Sequence, residues 1–578
     1  MIVHGWIRAI AVLLAAALAA APASGQSPAR ETAPIPRVEP VAAAQGMVVA
    51  QEARAVRIGV SILRQGGNAV DAAVAVGFAM AVTYPRAGNI GGGGFMLIRL
   101  ADGRAAAIDY RETAPQATRR DTFLDAKGEA DPARSRESGL AIGVPGTVAG
   151  LSLAHERYGS GRFTLAELIA PAIALAREGI PVDGDVADSL PRARDRLARW
   201  PSSAKIFLKA NGGVLESGDR LVQADLATSL ESIARGGPRA FYEGPIAERI
   251  AQAVRAAGGA MTADDLRAYR ALERAPVRGT YRGHEILSMP PPSSGGVHLV
   301  QMLNMLEAYP LREMGAGSAD ALHLMIETMK RAYADRAVYL GDPDAVHVPV
   351  AGLTSKDYAA RLRAGIDPRR ARPSSEIRVG TPAPPEGDNT THFSVVDRFG
   401  NAVANTYTLN LSYGVGLVAD GTGILLNNEL DDFAAKPLAP NAFGLVGFDA
   451  NAPGPGKRPL SSMTPTIVLK DGRPFLVTGS PGGSRIITAV LQMVVNTIDF
   501  GHDLAPATAA PRVHHQWLPD QAMVEPGLPA AAIAALRARG HVVVERAPGT
   551  AVNSILVTPS GLAGAADTRT SGALAAGY

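Results

Sequence analysis

Two adjacent threonines, Thr390 and Thr391, stand where a Pro/Gly-rich stretch, TPAPPEGDN, meets a strand-like segment, HFSVVDRFGNAVANTYTLN. If the peptide bond between Asn389 and Thr390 is cut, the Thr390 hydroxyl gains a free α-amine on its own residue. An α-amine titrates near about 8 and can accept the hydroxyl proton, so this pair is an activated nucleophile without histidine or cysteine. The same hydroxyl can make the cut by attacking the preceding carbonyl. The local alternative is that both threonines merely open an edge strand, where threonine is common.

Composition restricts the chemistry further. The chain has 578 residues, a hydrophobic content of 47%, 62 glycines and no cysteine. Without cysteine there is no disulfide, no thiol catalysis and no thiolate metal site, so a nucleophile has to be Ser, Thr, Lys or a carboxylate. The net charge of +3 is small for this length, and we expect no nucleic-acid partner.

The N-terminal segment MIVHGWIRAIAVLLAAALAAAPASGQ has the pattern of a secretory signal. Arg8 precedes an apolar run that ends in small residues suited to cleavage after Ala23 or Gly25. The run is too short for a membrane span and no stop-transfer charges follow it, although an uncleaved anchor is the alternative. We therefore expect residues 1–25 to be a signal peptide, no membrane span after its removal, and a periplasmic or secreted protein.

Helices are expected to dominate the chain up to about residue 370. GGNAVDAAVAVGFAMAVTYP is apolar almost all round, which predicts a buried helix capped by Asn68. Thr164 and Glu167 form a capping box at the start of another helix, and SADALHLMIETMKRAYADRAVYL predicts a helix with one apolar face. GNIGGGGFMLIRL indicates a close-packed strand rather than a dinucleotide loop, because its glycines precede a strand.

Strands are expected after the linker. Turns at Gly400-Asn401 and Asp471-Gly472 predict two hairpins, and a helix is expected immediately after Gly482 and Gly483. This order of helices, strands, strands and helices indicates a layered α+β protein.

Several long motifs in order resemble the γ-glutamyltransferase (γ-glutamyl transpeptidase) family of N-terminal nucleophile hydrolases. They are GNAVDAAVA, GGGGFML, DYRETAP, TTHFSVVD, NAVANTYTLN, GILLNNELDDF, GKRPLSSMTPTIV, VTGSPGGSRI and TSGALAAGY. The resemblance implies a four-layer αββα sandwich built by two fragments of one precursor, residues 26–389 and 390–578. Self-cleavage between Asn389 and Thr390 would create the Thr390 nucleophile, which Thr408 would assist by hydrogen bonding. Outside this resemblance, Thr408 is an ordinary strand threonine.

The resemblance also implies a pocket for a γ-glutamyl group. Arg111 would bind the α-carboxylate together with the hydroxyls of Ser461 and Ser462, since a guanidinium suits a carboxylate. By themselves, Arg111 would be a surface charge and the two serines a turn.

The α-ammonium would be held by Asn410, Glu429 and Asp432. The two acids are three residues apart and converge on one side if the chain is locally helical. No base opposes them in that stretch, which suits a cationic ligand, whereas a solvated loop is the usual origin of such a pair.

The glycines Gly482 and Gly483 would bind the substrate and form the oxyanion hole, with N–H groups at the positive end of the following helix. A plain strand-to-helix turn is the alternative. The long Pro/Gly-rich segment after Asp432 resembles the family's lid, with Phe443 at the position of an aromatic gate. His514 and His515 are adjacent and point apart, so we interpret them as structural rather than as metal ligands.

The resemblance implies a ping-pong enzyme that takes the γ-glutamyl group from glutathione or a similar donor. Water, an amino acid or a dipeptide then accepts the group, and neither a metal nor an organic cofactor is needed. The rivals are an acylase of the same fold that acts on glutaryl side chains of β-lactams and a non-catalytic binding protein. A glutaryl substrate has no α-ammonium and would leave Glu429 and Asp432 as unpaired buried charges, which favours the γ-glutamyl donor.

Overall fold

Two seven-stranded antiparallel sheets lie at the centre of the computed structural model, which describes residues 37–377, 379, 391–546 and 549–578. The predicted signal peptide, the Asn389-Thr390 bond and Thr390 itself lie outside these described residues. In spatial order, the first sheet contains the strands Leu574–Gly577, Met47–Ala50, Thr391–Val396, Ala402–Thr408, Gly93–Arg99, Ala105–Tyr110 and Leu272–Arg274. The second contains Val41–Ala43, Gly561–Ala566, Asn553–Thr558, Arg473–Thr478, Thr466–Lys470, His284–Ser288 and Val277–Tyr281.

The two sheets pack face to face because alternate residues of each strand point to opposite sides. Phe95 and Leu97 of the first sheet join Ile467 and Val477 of the second in a buried cluster between the sheets. Met96 points the other way, into a separate cluster shared with helices. The sheets are therefore the two inner layers of a sandwich.

Helices cover the outer face of each sheet. Those that share a hydrophobic cluster with the first sheet are Ala53–Arg64, Ala69–Thr83, Thr147–Tyr158, Leu165–Glu178, Ala224–Gly236, Arg239–Tyr242, Pro245–Ala256 and Ala263–Ala268. Those on the second are Gly295–Leu306, Leu311–Met314, Ala319–Tyr339, Val350–Leu353, Lys356–Arg363, Ile486–Ile498, Leu504–Ala509 and Ala530–Ala538. This confirms the predicted αββα sandwich.

Smaller elements complete the described chain. Three further helices are Pro132–Arg136, Gly184–Ala198 and Pro201–Phe207. Short strands pair Ile180–Pro181 with Arg220–Leu221 and Val418–Ala419 with Ile424–Leu425, and Val513–His514, Ala522–Val524 and Val543–Glu545 form a three-stranded sheet. Short 3₁₀ turns occur at Gly139–Ala141, Ser374–Glu376, Glu429–Asp432, Asp449–Asn451 and Gly483–Arg485.

The predicted helix caps are present. Asn68 accepts from the backbone N–H groups of Val70 and Asp71 at the start of a helix that is buried on every side. The capping box of Thr164 and Glu167 forms as expected. Local side-chain chemistry therefore fixes these helix starts, as the sequence predicts.

Three local predictions need correction. Helix Ala319–Tyr339 is buried at every position from Ala321 to Ala337, not on one face, because neighbouring helices and loops enclose it. The strand expected to end at Asn410 ends at Thr408. The helix expected directly after Gly483 begins at Ile486, since the chain first makes the 3₁₀ turn Gly483–Arg485.

Both predicted hairpins are confirmed. The first turns through Gly400, which has φ 89°, and the second through Asp471 and Gly472, with φ 51° and 75°. Within the residues that the structure describes, no helix is long and apolar enough to cross a bilayer.

Candidate active site

The strand Thr391–Val396 carries the chain into the first sheet directly after the undescribed Asn389-Thr390 bond. Thr391 is buried, pairs with Tyr407 across the sheet and places its hydroxyl against the side-chain oxygen of Gln51. The next residue of the partner strand is Thr408. Thr391 is therefore held in place by the sheet.

Arg111 follows the strand Ala105–Tyr110 and is completely buried. Its Nη1 donates to Oε1 of Glu429, and its Nη2 donates to Oδ2 of Asp432 at 2.6 Å. Nε donates to the carbonyl of Pro459 at 2.8 Å, and Nη2 also reaches the carbonyl of Leu460 at 3.2 Å. One guanidinium thus joins the acids to the chain segment that leads into Ser461.

The acids converge as their spacing predicts, because Glu429–Asp432 forms a 3₁₀ turn that places both carboxylates on the same guanidinium. No base opposes them within their own stretch of sequence, but Arg111, more than 300 positions earlier, approaches them in the fold. The argument that a glutaryl ligand would leave Glu429 and Asp432 as unpaired buried charges therefore does not hold, because both pair with Arg111. Arg111 supplies these carboxylates with a cation from within the protein.

Glu112 adds a third carboxyl group that sequence reasoning missed. It is fully buried, its Oε2 lies 3.9 Å from Nη1 of Arg111, and neither of its oxygens has a hydrogen-bond partner among the described residues. The same is true of Oε2 of Glu429. Burial raises the pKa of Glu112 to about 8 and raises the pKa of Glu429 well above its ordinary value. Three carboxyl groups surround one guanidinium, so hydrogen-bond acceptors outnumber the donors that Arg111 can offer them. The only sign of Glu112 in the sequence was its position next to Arg111.

Asn410 lies beside the acids, two residues beyond the end of its strand. Its backbone has φ 71°, its Nδ2 donates to the carbonyl of Asn428 at 2.8 Å, and its backbone N–H donates to the Thr408 hydroxyl at 2.8 Å. Its Oδ1 is buried and accepts no hydrogen bond from any described residue. A buried oxygen in this state suits a ligand that brings a donor.

Ser461 and Ser462 are buried immediately after Leu460. The Ser461 hydroxyl accepts from the backbone N–H of Met463 at 3.1 Å. The Ser462 hydroxyl lies 3.3 Å from that of Ser294 and accepts from Nη2 of Arg336 at 3.2 Å. Arg336 is a second buried guanidinium that sequence reasoning missed. Because the Ser294 hydroxyl already donates to the carbonyl of Ser461 at 2.9 Å, Ser462 is the donor in its contact with Ser294.

Gly482 directly precedes the 3₁₀ turn and Gly483 is its first residue, with φ 133° and 65°. A Cβ at Gly482 would lie 2.5 Å from Cγ2 of Thr550, so both conformation and space require glycine there. Three residues earlier, a Cβ at Gly479 would lie 2.3 Å from Nδ1 of His392. This close approach places the glycine turn next to the strand that begins at Thr391.

Phe443 is half-buried against the second helical layer, and its carbonyl accepts from Nε2 of Gln516 at 3.2 Å. The adjacent histidines have different partners. His514 contacts Thr488 and Gln516 at 2.9 and 3.0 Å, whereas His515 contacts Asp520 at 3.1 Å. Burial lowers the pKa of His514 to about 3, in keeping with a structural ring. Across the part of the chain that the structure describes, no group of three or more His, Asp or Glu residues could hold a metal ion.

Comparison with known proteins gives one consistent family. A family model described as gamma-glutamyltranspeptidase matches residues 55–577. The chain is 56% identical over 541 residues to the glutathione hydrolase proenzyme of Escherichia coli strain K12, covering 93% of each chain. It is 40% identical over 556 residues to the acylase ACY 1 proenzyme of Pseudomonas sp. strain SE83, covering 93% of this chain and 96% of the relative.

A solved structure with the same fold is the cephalosporin acylase from Bacillus halodurans. It superposes with a TM-score of 0.83 at 28% identity, covering 96% of this chain and 99% of that chain. Three observations indicate the same family: the order of the motifs, the αββα sandwich and the match of the family model to nearly the whole sequence. The chain belongs to the gamma-glutamyltranspeptidase family.

Proposed function

We propose that this protein is a γ-glutamyltransferase and glutathione hydrolase that carries the γ-glutamyl group on Thr390. The observation that carries the proposal is the buried cluster of Arg111, Glu112, Glu429 and Asp432 beside Oδ1 of Asn410, which accepts no hydrogen bond from the described residues. An α-amino acid head group has one cation and one anion, and this buried cluster offers carboxylates for the cation and a guanidinium for the anion. The surplus of carboxyl groups over guanidinium favours the ligand that brings an ammonium.

The head group would be bound at both ends. Oε2 of Glu429, Asp432 and Oδ1 of Asn410 would accept from the ammonium. Arg111 and the hydroxyls of Ser461 and Ser462 would donate to the α-carboxylate.

The reaction would proceed in two halves. The Thr390 hydroxyl attacks the γ-amide carbonyl while its α-amine takes the hydroxyl proton, and the oxyanion lies against the N–H groups of Gly482 and Gly483. The C–N bond then breaks, the proton goes to the departing amine, and cysteinylglycine leaves when glutathione is the donor. Water, an amino acid or a dipeptide attacks the Thr390 ester and regenerates the hydroxyl.

The nucleophile requires cleavage of the precursor between Asn389 and Thr390. The name proenzyme on the Escherichia coli relative supports such processing. In the first sheet, Met47–Ala50 lies between Leu574–Gly577 and Thr391–Val396, so residues 26–389 and 390–578 would share one sheet after the cut. We expect the two fragments to stay together as a heterodimer. Residues 1–25 would be removed as a signal peptide, giving a periplasmic or secreted enzyme.

Processing is tested by a denaturing gel and by mass spectrometry of the smaller fragment. We expect two bands and an N-terminal Thr390. A single uncut chain that hydrolyses γ-glutamyl donors at full rate would overturn this mechanism. A single uncut chain without such activity would instead favour the non-catalytic binding protein.

The acylase alternative is supported by the names of the Pseudomonas and Bacillus halodurans relatives. It is tested with an Asp432→Asn variant and two anilide donors, one γ-glutamyl and one glutaryl. Loss of γ-glutamyl hydrolysis supports the proposed donor. Unchanged γ-glutamyl hydrolysis, together with faster glutaryl hydrolysis by the wild type, would favour the acylase.

A further inference from the structure

A tight turn at residues 441–445, here named the lid turn, lies over the acids of the site. Its backbone closes on itself, since the N–H of Asn441 donates to the carbonyl of Leu445 at 2.9 Å. The Asn441 side-chain oxygen accepts from the N–H groups of Phe443 and Leu445 at 2.9 and 3.1 Å. One asparagine oxygen thus organises the whole turn.

The lid turn is attached to the acids by two contacts of different kinds. The N–H of Ala442 donates to Oδ2 of Asp431 at 2.9 Å, and Nδ2 of Asn441 donates to Oδ1 of Asp432 at 3.1 Å. Asp431 is also held by Ser135 and Arg136 at 2.6 and 3.0 Å, so it is a structural anchor. Asp432 is bound by Arg111 inside the site, and Asn441 therefore connects the turn to a ligand-binding carboxylate.

The opposite side of the lid turn is attached to the glycine turn. Nε2 of Gln516 donates to the carbonyl of Phe443 at 3.2 Å, and Oε1 of Gln516 accepts from the Ser484 hydroxyl at 2.8 Å. Ser484 directly follows Gly483. The lid turn therefore spans from the acids to the glycines of the site.

We propose that Asn441 is a positioning residue that sets donor specificity, by holding Asp432 for a ligand ammonium and tying the lid turn to that carboxylate. This inference rests on the proposed function. Arg111 fixes one oxygen of Asp432 and Asn441 fixes the other, so the carboxylate cannot rotate away from the ligand. A donor with an α-ammonium uses this arrangement, whereas a glutaryl donor of the same length has no group for Asp432 to bind.

Asn441→Asp is the sharpest variant. It keeps a side-chain oxygen for the N–H groups of Phe443 and Leu445, so the turn retains its internal bonds. It removes the N–H donor and places a second carboxylate against Asp432. Asp449→Asn is the matched control, because Asp449 lies in the same segment, is 81% exposed and pairs with Arg120 on the surface.

The test compares kcat/KM for a γ-glutamyl anilide and a glutaryl anilide in the processed enzyme. Asn441→Asp is expected to lower the γ-glutamyl value by about 10- to 100-fold, mainly through KM, since a hydrogen bond to a charged group is lost. The kcat/KM for the glutaryl anilide is expected to change less than about 3-fold, which is smaller than the effect of losing one hydrogen bond to a charged group. Equal losses for both donors, or no change for either, would overturn the inference. Inactive wild type with the γ-glutamyl donor would overturn the proposed function instead.

A second measurement, made on the wild type, tests the inference even if the Asn441→Asp variant fails to fold or to be processed. In the wild type, hydrogen exchange of the Phe443 and Leu445 amides is followed with L-glutamate or with glutarate present. We expect L-glutamate to slow exchange and glutarate to leave it unchanged, because glutarate brings no ammonium to Asp432. Equal protection by both acids, or by neither, would contradict the role assigned to Asn441.

Discussion

Nη2 of Arg111 lies 2.6 Å from Oδ2 of Asp432, and both side chains are buried. The cation and the anion assigned to opposite ends of an amino acid head group therefore neutralise each other before a ligand enters. Such a pair avoids the high free-energy cost of an isolated buried charge. A zwitterionic ligand brings an ammonium for the carboxylates and a carboxylate for the guanidinium.

Removal of the Arg111 charge should destabilise the protein strongly. Arg111→Met leaves Glu429 and Asp432 buried without their cation, and we expect the free energy of unfolding to fall by about 3–5 kcal/mol. Urea denaturation of the processed protein measures this change. Arg104→Met, which breaks an exposed pair with Asp102, is the control and should cost far less, because solvent screens that pair. Similar losses of stability in both variants would show that Arg111 does not stabilise the protein by neutralising the buried carboxylates.

Glu112 should make stability fall as the pH rises. Its pKa is raised from 4.5 to about 8 by burial, so between these values the native state holds a proton that the unfolded state has released. Stability is therefore greatest below the unfolded value and is lost towards pH 8, with a slope of at most about 1.4 kcal/mol per pH unit from this group. Urea denaturation at several pH values should show a flatter profile for Glu112→Gln. If the free energy of unfolding depends on pH with the same slope in the variant, the proton released on unfolding belongs to a group other than Glu112.

Gly482 should be essential for the rate rather than for folding alone. Gly482→Ala forces a Cβ against Thr550 at a φ of 133°, which displaces the N–H groups of the turn. We expect kcat to fall by about 10²- to 10³-fold, the usual cost of one oxyanion donor. Gly472→Ala is the matched control, because it strains a hairpin turn at φ 75° with no atom within 4 Å of the new Cβ. A kcat loss of equal size in the control would attribute the effect to strain.

Thr408 should affect processing through its hydroxyl. Its Oγ1 accepts from the N–H of Asn410 at 2.8 Å, and it follows the residue paired with Thr391. Thr408→Val keeps the shape and removes the hydroxyl, so we expect cleavage of the precursor to slow by at least about 10-fold, or about 1.4 kcal/mol in activation free energy. The time course on denaturing gels measures this rate. Thr408→Ser should process almost normally, and equal slowing of both variants would contradict a role for the hydroxyl.

Local elements were predictable because their causes lie within a few residues. Asn68 caps the helix that starts at the next residue, and Asp471-Gly472 turns the hairpin between its own two strands. The convergence of Glu429 and Asp432 also follows from a spacing of three residues in one helical turn. These features need no distant part of the chain.

Longer-range relationships were not predictable in the same way. Helix Ala319–Tyr339 has a sequence with one apolar face but is enclosed on all sides, since other elements cover its polar residues. For Glu112, the sequence indicated only that it is the neighbour of Arg111. For Asn441, it indicated only an asparagine in a loop. Their roles depend on contacts made across the fold.

The sequence by itself determined the family, the layered fold and the candidate nucleophile, because these depend on motif order, local spacing and the absence of cysteine. Only the tertiary structure decided which charges meet. Arg111 and Glu429 are 318 positions apart, and no local pattern reports that one neutralises the other. The energy of a buried charge depends on the atoms that surround it, and in this protein distant segments supply those atoms.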